Sequence, residues 1–350
     1  MARIFSSGCE EADPLALWDY VYAATKASVV ANVFGRDQFT FAPRTGRGML
    51  LLGMITNAPS YVRNTFAVTT YTEFYYGFAM RAPKMESRAF FRSGCDIVGT
   101  FSDYNELRLN ANGSIQAYRN GTSLLSSAAG VITIDTWYYI EVWCKPRNVN
   151  GRVVVKVDGV NILDYTGDTT DDAEYITFYE LLCGHNDSSY NPYAFDDIVV
   201  NDTSGVVNNT YPGVVRLMPI RPQNAGTDND WSRAGVDLGF DMAQARNGTF
   251  EFAMLQTAAA DQLVNFDPEI PDLPAGATIT NIIVTARSRV QAGAGVIAPM
   301  VIANGTVDIS ADQTLLSAWR YIQYAWALNP EDAAAWAEAD LALLEIGVSS

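Results

Sequence analysis

Short runs of alternating apolar and polar residues, separated by turn residues, fill the first 200 positions of the chain. The clearest run is residues 136–144, where a period of two is typical of a β-strand with one face in a core. Its faces are Tyr138, Ile140, Val142 and Cys144 on one side and Trp137, Tyr139, Glu141 and Trp143 on the other. Long helical periodicity is missing from this half, so the pattern predicts a β-domain.

Asn-Gly and Asp-Gly pairs connect many of these runs. Both central residues of a type I′ hairpin turn have positive φ, which these pairs tolerate best. The pairs are Asn112-Gly113, Asn120-Gly121, Asn150-Gly151, Asp158-Gly159, Asn247-Gly248 and Asn304-Gly305. Further strands are predicted at residues 71–82, 88–92, 152–157, 160–165, 174–182 and 194–201. If strand 152–157 pairs with the Trp137 strand, Glu141 faces Lys156 or Arg152 across the ladder.

A polar stretch at residues 201–213 predicts the junction between two domains, residues 1–204 and 205–350. Strands are predicted beyond it at residues 214–219, 278–288 and 296–303. Several short strands joined by turns favour β-sandwiches over alternating β and α units. Residues 315–327 fit a strand or a helix, and the pattern does not choose between them.

The end of the chain has the features of a helix start. Asn329 is a suitable N-cap, Pro330 suits the first helical position, and acidic residues follow in the first turn. Gly347 is placed to close the helix. We therefore expect an all-β protein of two β-sandwich domains, the second of which carries a short C-terminal helix within residues 331–345.

Charge narrows the list of partners. The chain has 23 basic and 39 acidic side chains and a formal charge of −16. Nucleic-acid binding depends on Lys and Arg that neutralise phosphates, so no nucleic-acid partner is expected. The longest apolar run, residues 49–55, is far too short to span a bilayer, so no membrane partner is expected either. No secretory signal follows Met1, which predicts synthesis in a cytoplasm.

Residue types that commonly catalyse reactions are sparse. The four cysteines lack paired metal-ligand spacing, and we expect buried thiols rather than a zinc site. His185 is the only histidine, and no nucleophile elbow precedes it. Retaining glycosidases need two carboxylates about 5 Å apart. The pairs Glu11 with Asp13 and Glu338 with Asp340 lack the third carboxylate of the usual strand pattern. We therefore expect no catalytic residues and no enzyme activity.

Four segments resemble a known fold. "ELRLNANGSIQAYRNG", "DTWYYIEVWCKP", "GRVVVKVDGVNILDYTGDT" and "YAFDDIVVND" resemble, in this order, the concanavalin A-like (laminin G-like) jelly roll. The opening "IFSSGCEEAD", the segments "GVVRLMPIRPQNAGTDNDW" and "LPAGATITNIIVTARSR", and the ending "NPEDAAAWAEADLALLEIGV" resemble bacteriophage virion proteins with such a domain followed by a second β-domain. Relatives usually have an aromatic residue in place of Cys9 and Trp-Thr in place of Trp336-Ala337.

The resemblance implies a non-enzymatic virion structural protein on the particle surface, either a capsid decoration or a tail-associated subunit. Its expected partners are other virion proteins and further copies of itself, through interfaces of about 800 Å² per partner. The alternative is a carbohydrate-binding adhesin that recognises host surface glycans. Trp137, Tyr139 and Trp143 are the candidate glycan or interface contacts, because sugars stack on aromatic rings.

No cofactor is expected, although a calcium ion is a weaker alternative. Laminin G-like folds sometimes hold calcium at a rim, and Ca²⁺ takes six to eight oxygen ligands. The candidate ligands are the acidic residues Asp168, Asp171 and Asp172. Asp196 and Asp197 on the final strand of the first domain are placed to approach them.

Overall fold

The computed structural model describes residues 3–7, 20–23, 44–45, 49–52, 60–66, 71–97, 100–171, 173–183, 192–204, 206–218, 220–234, 254–256, 263–290, 293–318 and 320–350. The chain divides into two compact units, Met1–Leu217 and Met218–Ser350. Among the described residues, nearly all of the regular secondary structure in both units is antiparallel β-strand, as predicted.

The first unit consists of two sheets of seven strands each. Its strands are β1 Arg3–Ser7, β2 Tyr20–Ala23, β3 Leu50–Leu52, β4 Ser60–Thr65, β5 Phe74–Arg81, β6 Arg88–Ile97, β7 Thr100–Leu109, β8 Ile115–Arg119, β9 Thr122–Ser126, β10 Tyr138–Lys145, β11 Gly151–Val157, β12 Val160–Gly167, β13 Phe178–Cys183 and β14 Tyr193–Asn201. Sheet A has the order β1-β14-β5-β10-β11-β12, with β3 also paired to β14, and sheet B has the order β2-β4-β13-β6-β7-β8-β9. Together they form the predicted jelly-roll sandwich.

The core of this unit lies between the inner faces of the two sheets. Alternation along each strand sends every second side chain inward, and burial of these apolar groups drives the packing. Sheet A contributes Phe78, Ile140, Val142 and Val155, among others, and sheet B contributes Phe91, Leu107, Ile115 and Leu181. The face of β10 that carries Ile140, Val142 and Cys144 therefore lies in the core, which confirms the predicted alternation of this strand. Glu141 lies directly opposite Lys156, as expected from pairing of these strands.

The hairpin turns follow the Asn-Gly prediction in part. Asn120-Gly121, Asp158-Gly159 and Asn304-Gly305 have positive φ at both residues, as type I′ turns require. At Asn112-Gly113 only the glycine has positive φ, and the Asn112 side chain accepts the backbone N–H of Ser114 instead. At Asn150-Gly151 only the asparagine does, because the glycine already begins β11. Asn247 lies outside the described residues.

The second unit has a six-stranded sheet and two shorter ladders. Its strands are β15 Arg221–Asn229, β16 Ser232–Ala234, β17 Met254–Gln256, β18 Leu263–Glu269, β19 Ile282–Ser288, β20 Val296–Ala303, β21 Thr306–Ile309, β22 Gln313–Thr314, β23 Arg320–Trp326 and β24 Leu344–Ser349. The large sheet has the order β15-β18-β24-β20-β21, with β22 also paired to β20. The β19–β23 ladder packs on it through Ile282, Val301, Trp326 and Leu344.

Two strand predictions for the later part of the chain are completed or corrected by the structure. The ambiguous segment 315–327 contains strand β23, paired with β19 along its whole length. The segment predicted as strand 214–219 has no strand in its described residues 214–218. These residues form no β-ladder because their backbone groups bond to side chains instead. The N–H of Leu217 donates to the Asp197 carboxylate, and the carbonyl of Val215 accepts from the Arg44 guanidinium.

The C-terminal helix is shorter and begins later than predicted. Asn329 forms a local turn, in which its side chain accepts the N–H of Glu331, and a six-residue 3-10 helix spans Glu338–Leu343. Gly347 does not close a helix but lies inside β24. A Cβ there would collide with the carbonyl of Val264 on β18, so glycine permits this close strand pairing.

Candidate functional site

A continuous row of polar side chains crosses the outer face of sheet B. Inner-face residues such as Phe91, Leu107 and Leu181 are packed in the core, so their sequence neighbours point outward. The directly paired outward residues, from β4 to β9, are Arg63, Glu180, Arg92, Glu106, Tyr118 and Ser123. We call these six residues the cross-strand row.

Positive and negative charges alternate along the row. Arg63 donates from Nε at 2.9 Å and from Nη2 at 2.8 Å to Glu180 Oε1. Arg92 donates from Nε to Glu106 Oε2 at 2.6 Å, and its Nη1 lies 3.7 Å from Glu180 Oε2. Arg108, two residues along β7, donates from Nε to the other oxygen of Glu106. Each glutamate is therefore held by two arginines.

Exposure changes along the row. The side chains of Glu180 and Glu106 are 0% and 1% exposed, and Arg63 is 9% exposed. Arg92 and Arg108 are 27% and 33% exposed, and Ser123 on the edge strand is exposed. The carboxylates thus lie beneath the arginines. Between β6 and β9 the surface presents guanidinium groups to solvent.

Aromatic rings support the arginines. The Arg92 guanidinium lies 5.2 Å from the ring centroid of Tyr104, and that of Arg108 lies 4.2 Å from the Tyr118 ring. Such cation–π contacts hold a guanidinium plane in place. Gly94 on β6 lies opposite Tyr104 on β7, and a Cβ at Gly94 would collide with Tyr104. Glycine therefore leaves room for Tyr104 beside Arg92.

Amide and hydroxyl groups extend the polar surface to the edge of the sheet. Gln116 accepts the Tyr118 hydroxyl at 2.9 Å and donates to Ser123 Oγ at 2.7 Å. Asn110 donates to the same Gln116 carbonyl at 3.2 Å. The surface therefore offers both donors and acceptors of hydrogen bonds, which is what binding of a polyhydroxylated ligand requires.

The electrostatics of the row reflect burial. Burial raises the pKa of the Glu180 carboxyl, and the adjacent Arg63 opposes that rise. For Arg108, burial lowers the pKa, but the hydrogen bond to Glu106 and the charge interactions with Glu106, Tyr118 and Tyr104 together outweigh burial, so the pKa is raised. Arg108 therefore stays charged at every pH at which the protein is folded.

The three aromatic residues predicted as contacts are Tyr139 and Trp143 on β10 and Trp137 just before it. They alternate with the inward residues Ile140 and Val142 and so belong to the outer side of sheet A. Tyr139 is fully buried, with the Arg44 guanidinium 5.1 Å from its ring centroid. Trp143 stacks on Tyr75 of β5 at 5.6 Å, and Arg152 of β11 lies 5.0 Å from its ring centroid. Trp137 is partly buried just before the strand begins. Trp143 therefore contacts a side chain from each neighbouring strand.

The polar segment after β14 covers part of this face, which the sequence did not indicate. Tyr211 meets the Tyr75 ring edge-on at 5.0 Å, and the Lys156 ammonium lies 3.5 Å from the Tyr211 centroid. The Gly213 N–H donates to Glu141 Oε1 at 2.8 Å. Burial raises the pKa of Glu141, against the effects of that hydrogen bond and of Lys156.

The candidate calcium ligands have protein partners. Asp168 and Asp171 both form ion pairs with Arg119 on β8, and the hydrogen bond from Arg119 lowers the pKa of Asp168. Asp172 lies outside the described residues. The loop is fastened by Asp103, whose carboxylate accepts the Thr170 hydroxyl and the N–H groups of Asp171 and Ala173.

Asp196 and Asp197 contact Arg44 and Thr45 rather than the loop that contains Asp168 and Asp171. They form a bulge in β14 at which Asp197 has φ of 50°. Asp196 Oδ2 accepts the N–H groups of Arg44 and Thr45, and Asp197 pairs with the Arg44 side chain at 2.6 Å. Burial raises the pKa of Asp197. The pair fastens Arg44 and Thr45 to the sheet.

The other candidate groups are scattered. Glu11, Asp13, Cys9 and His185 lie outside the described residues. Cys95, Cys144 and Cys183 are buried free thiols, as predicted for cysteines of this chain. Within the described ranges, no group of three or more His, Cys, Asp or Glu side chains is arranged to hold a metal ion. No helix among those ranges is long and apolar enough to cross a membrane.

Comparisons with known proteins return distant structural similarities. No family model matches the chain, and the comparison with curated proteins finds no match. The alginate lyase Aly36B is 18% identical, with a TM-score of 0.32 over 44% of this chain and 81% of that chain. The carbohydrate-binding module CBM66 from Bacillus subtilis is 8% identical, with a TM-score of 0.28 over 45% and 87%. The carbohydrate recognition domain of Emp46p is 12% identical, with a TM-score of 0.34 over 48% and 84%. Similarity at this level concerns the β-sandwich architecture and identifies no activity.

Proposed function

We propose that the chain is a non-enzymatic carbohydrate-binding protein, and that the first unit holds a glycan on the outer face of sheet B between β6 and β9. One observation carries the proposal. The cross-strand row and its neighbours Arg108 and Gln116 present guanidinium, phenol, amide and hydroxyl groups to solvent on paired strands. Sites built on strands position their polar groups better than loops do, which suits recognition of sugar hydroxyls.

A glycan array tests this proposal on the intact chain. We expect binding to a defined subset of oligosaccharides. Gln116→Ala removes the amide that links Tyr118 to Ser123, and we expect it to weaken binding several-fold while leaving the melting temperature within a few degrees. An array that stays silent for the intact protein would contradict the proposal.

The face of β10 provides the matched comparison. Trp143 remains a candidate glycan contact from the sequence, so Trp143→Ala belongs in the same array experiment. We expect this variant to keep its glycan binding, because Tyr75 and Arg152 already contact the Trp143 ring. Loss of binding in Trp143→Ala with retention in Gln116→Ala would place the site on sheet A instead.

We further propose that the protein works as a surface subunit of a phage particle, as a capsid decoration or a tail-associated protein. The resemblance of the sequence to virion proteins supports this setting. The edge strand β21 also exposes Val307 and Ile309, at 46% and 42%, and among the described residues no strand pairs with its outer edge, which a neighbouring subunit can cover. Quantitative mass spectrometry of purified particles tests it. Hundreds of copies indicate capsid decoration, a few to tens indicate the tail, and absence contradicts the proposal.

A further inference from the structure

The charge that the cross-strand row presents outward differs from the charge of the protein. The chain as a whole carries −16. In the row and its neighbour Arg108, three arginines face two glutamates, so one positive charge remains. The two glutamates are buried, at 0% and 1% exposure, while Arg92 and Arg108 are 27% and 33% exposed. A ligand that approaches this face therefore meets cations first.

The geometry leaves donors available on these arginines. A guanidinium has five N–H donors in a fixed fork. Glu106 takes the Nε–H of both Arg92 and Arg108. Within the described part of the chain, the terminal Nη groups of Arg108 donate to no protein acceptor. Held by Glu106 beneath and Tyr118 beside it, at 4.2 Å, this guanidinium is fixed before a ligand arrives. Such pre-organisation lowers the entropy lost on binding.

We propose that the ligand of this surface is an acidic sugar, a carbohydrate that carries carboxylate or sulfate groups, and that Arg92 and Arg108 bind those groups. This inference rests on the proposed glycan binding. Guanidinium groups bind planar oxyanions by paired, charge-assisted hydrogen bonds, and Gln116 and Ser123 are placed to bond neighbouring hydroxyls. Nucleic acid is disfavoured as the polyanion, because its dense charge meets stronger repulsion from a chain of −16.

The test uses polymers that differ in charge alone. Polygalacturonate and its methyl ester share one backbone, and only the first carries carboxylates. Dextran sulfate and dextran make the corresponding pair for sulfate, so the two pairs separate the two anion sources. We expect the intact protein to bind at least one charged polymer and neither neutral partner, with affinity falling as salt rises.

Matched variants locate the effect. Arg108→Gln should weaken binding about tenfold, because a charge-assisted hydrogen bond is lost, and Arg108→Lys should retain part of the affinity. Arg152→Gln removes one exposed arginine of sheet A that likewise pairs with an acid, Asp164, and should change affinity less than twofold. Melting curves of all three variants serve as the control that each variant folds.

Several results would overturn the inference. Equal binding of charged and neutral polymers would refute the acidic-sugar ligand and leave glycan binding standing. Equal losses in Arg108→Gln and Arg152→Gln would refute the assigned site, as would equally tight binding of a single-stranded DNA oligonucleotide. If no carbohydrate binds at all, charged or neutral, the proposed function fails together with the inference.

Discussion

Glu106 lies directly opposite Arg92 on the neighbouring strand, and Arg92 Nε donates a 2.6 Å hydrogen bond to its Oε2. The other oxygen of Glu106 accepts from Arg108, so one buried carboxylate orients two partly exposed guanidinium groups. This relationship connects the fold to its proposed role. The register of β6 and β7 brings the three side chains together, and the β-ladder holds them there without a ligand.

The buried end of the row predicts a large stability effect. Arg63→Ala leaves Glu180 buried, with its nearest ion-pair partner removed, and should lower the free energy of unfolding by about 3 to 5 kcal/mol. The matched change Asp164→Ala breaks an ion pair whose side chains are 38% exposed and should cost about 1 kcal/mol or less. Urea denaturation measures both. Equal costs would show that burial does not govern the Arg63–Glu180 pair.

Glu141 predicts a pH dependence of stability. Its pKa is raised in the folded protein, mainly by burial, so the folded state binds the proton more tightly than the unfolded state. The resulting stabilisation is complete below the ordinary glutamate pKa and is lost as the pH rises through the folded value. Lowering the pH from 7 to 5 should therefore add to the free energy of unfolding through Glu141. We expect this contribution to be lost in Glu141→Gln.

Asp164→Asn is the control for that experiment. The hydrogen bond from Arg152 lowers the pKa of Asp164, so this group changes its charge at more acidic pH. Its removal should leave the difference in unfolding free energy between pH 5 and pH 7 unchanged. A Glu141→Gln variant with the same pH dependence as the parent would show that this carboxyl does not contribute to it.

Thiol chemistry should report on the core of the first unit. Cys95, Cys144 and Cys183 are at most 1% exposed, and burial raises the pKa of Cys144 to about 12. Because the thiolate is the reactive form, iodoacetamide should modify these cysteines only after unfolding. Mass spectrometry of native and denatured samples checks this. Rapid alkylation of Cys144 in the native protein would contradict the buried position of β10.

Gly347 lets β24 lie very close to β18 in the second unit. A Cβ at Gly347 would collide with backbone atoms of β18, whereas one at Gly295 would meet only side chains at ordinary contact distances. Gly347→Ala should therefore destabilise this unit by about 1 to 3 kcal/mol, and Gly295→Ala by much less. Thermal unfolding compares the two variants. Similar melting temperatures would mean that β24 shifts to accept the methyl group.

The sequence predicted much of the fold because alternation is a local property. The inward valines of β11 and the pairing of Glu141 with Lys156 follow from a period of two and a short turn. The C-terminal helix was misjudged because Asn329 and Pro330 suit a helix start locally. The strand that follows, β24, is instead paired on both sides within the large sheet.

The cross-strand row could not be derived in the same way. Arg63 and Glu180 are 117 positions apart, and bulges in β6 shift the register that joins Arg92 to Glu106. The charged residues at outward positions of β6 and β7 were a visible indication of a polar face. Only the strand order shows that they form one row. Alternation predicted that Trp143 and Ile140 lie on opposite faces of their strand. It did not predict that Tyr211 packs against Tyr75 beside Trp143, because Tyr211 belongs to a segment that was interpreted as a domain junction.

Hydrogen–deuterium exchange on the intact chain, with and without the oligosaccharide that binds best in the glycan array, tests the central claim most directly. Glycan binding on the outer face of sheet B predicts slower exchange in peptides that cover residues 100–126. Peptides that cover residues 138–145 and 206–217 should exchange as in the free protein. Protection confined to those latter peptides, or to the second unit, would contradict the account.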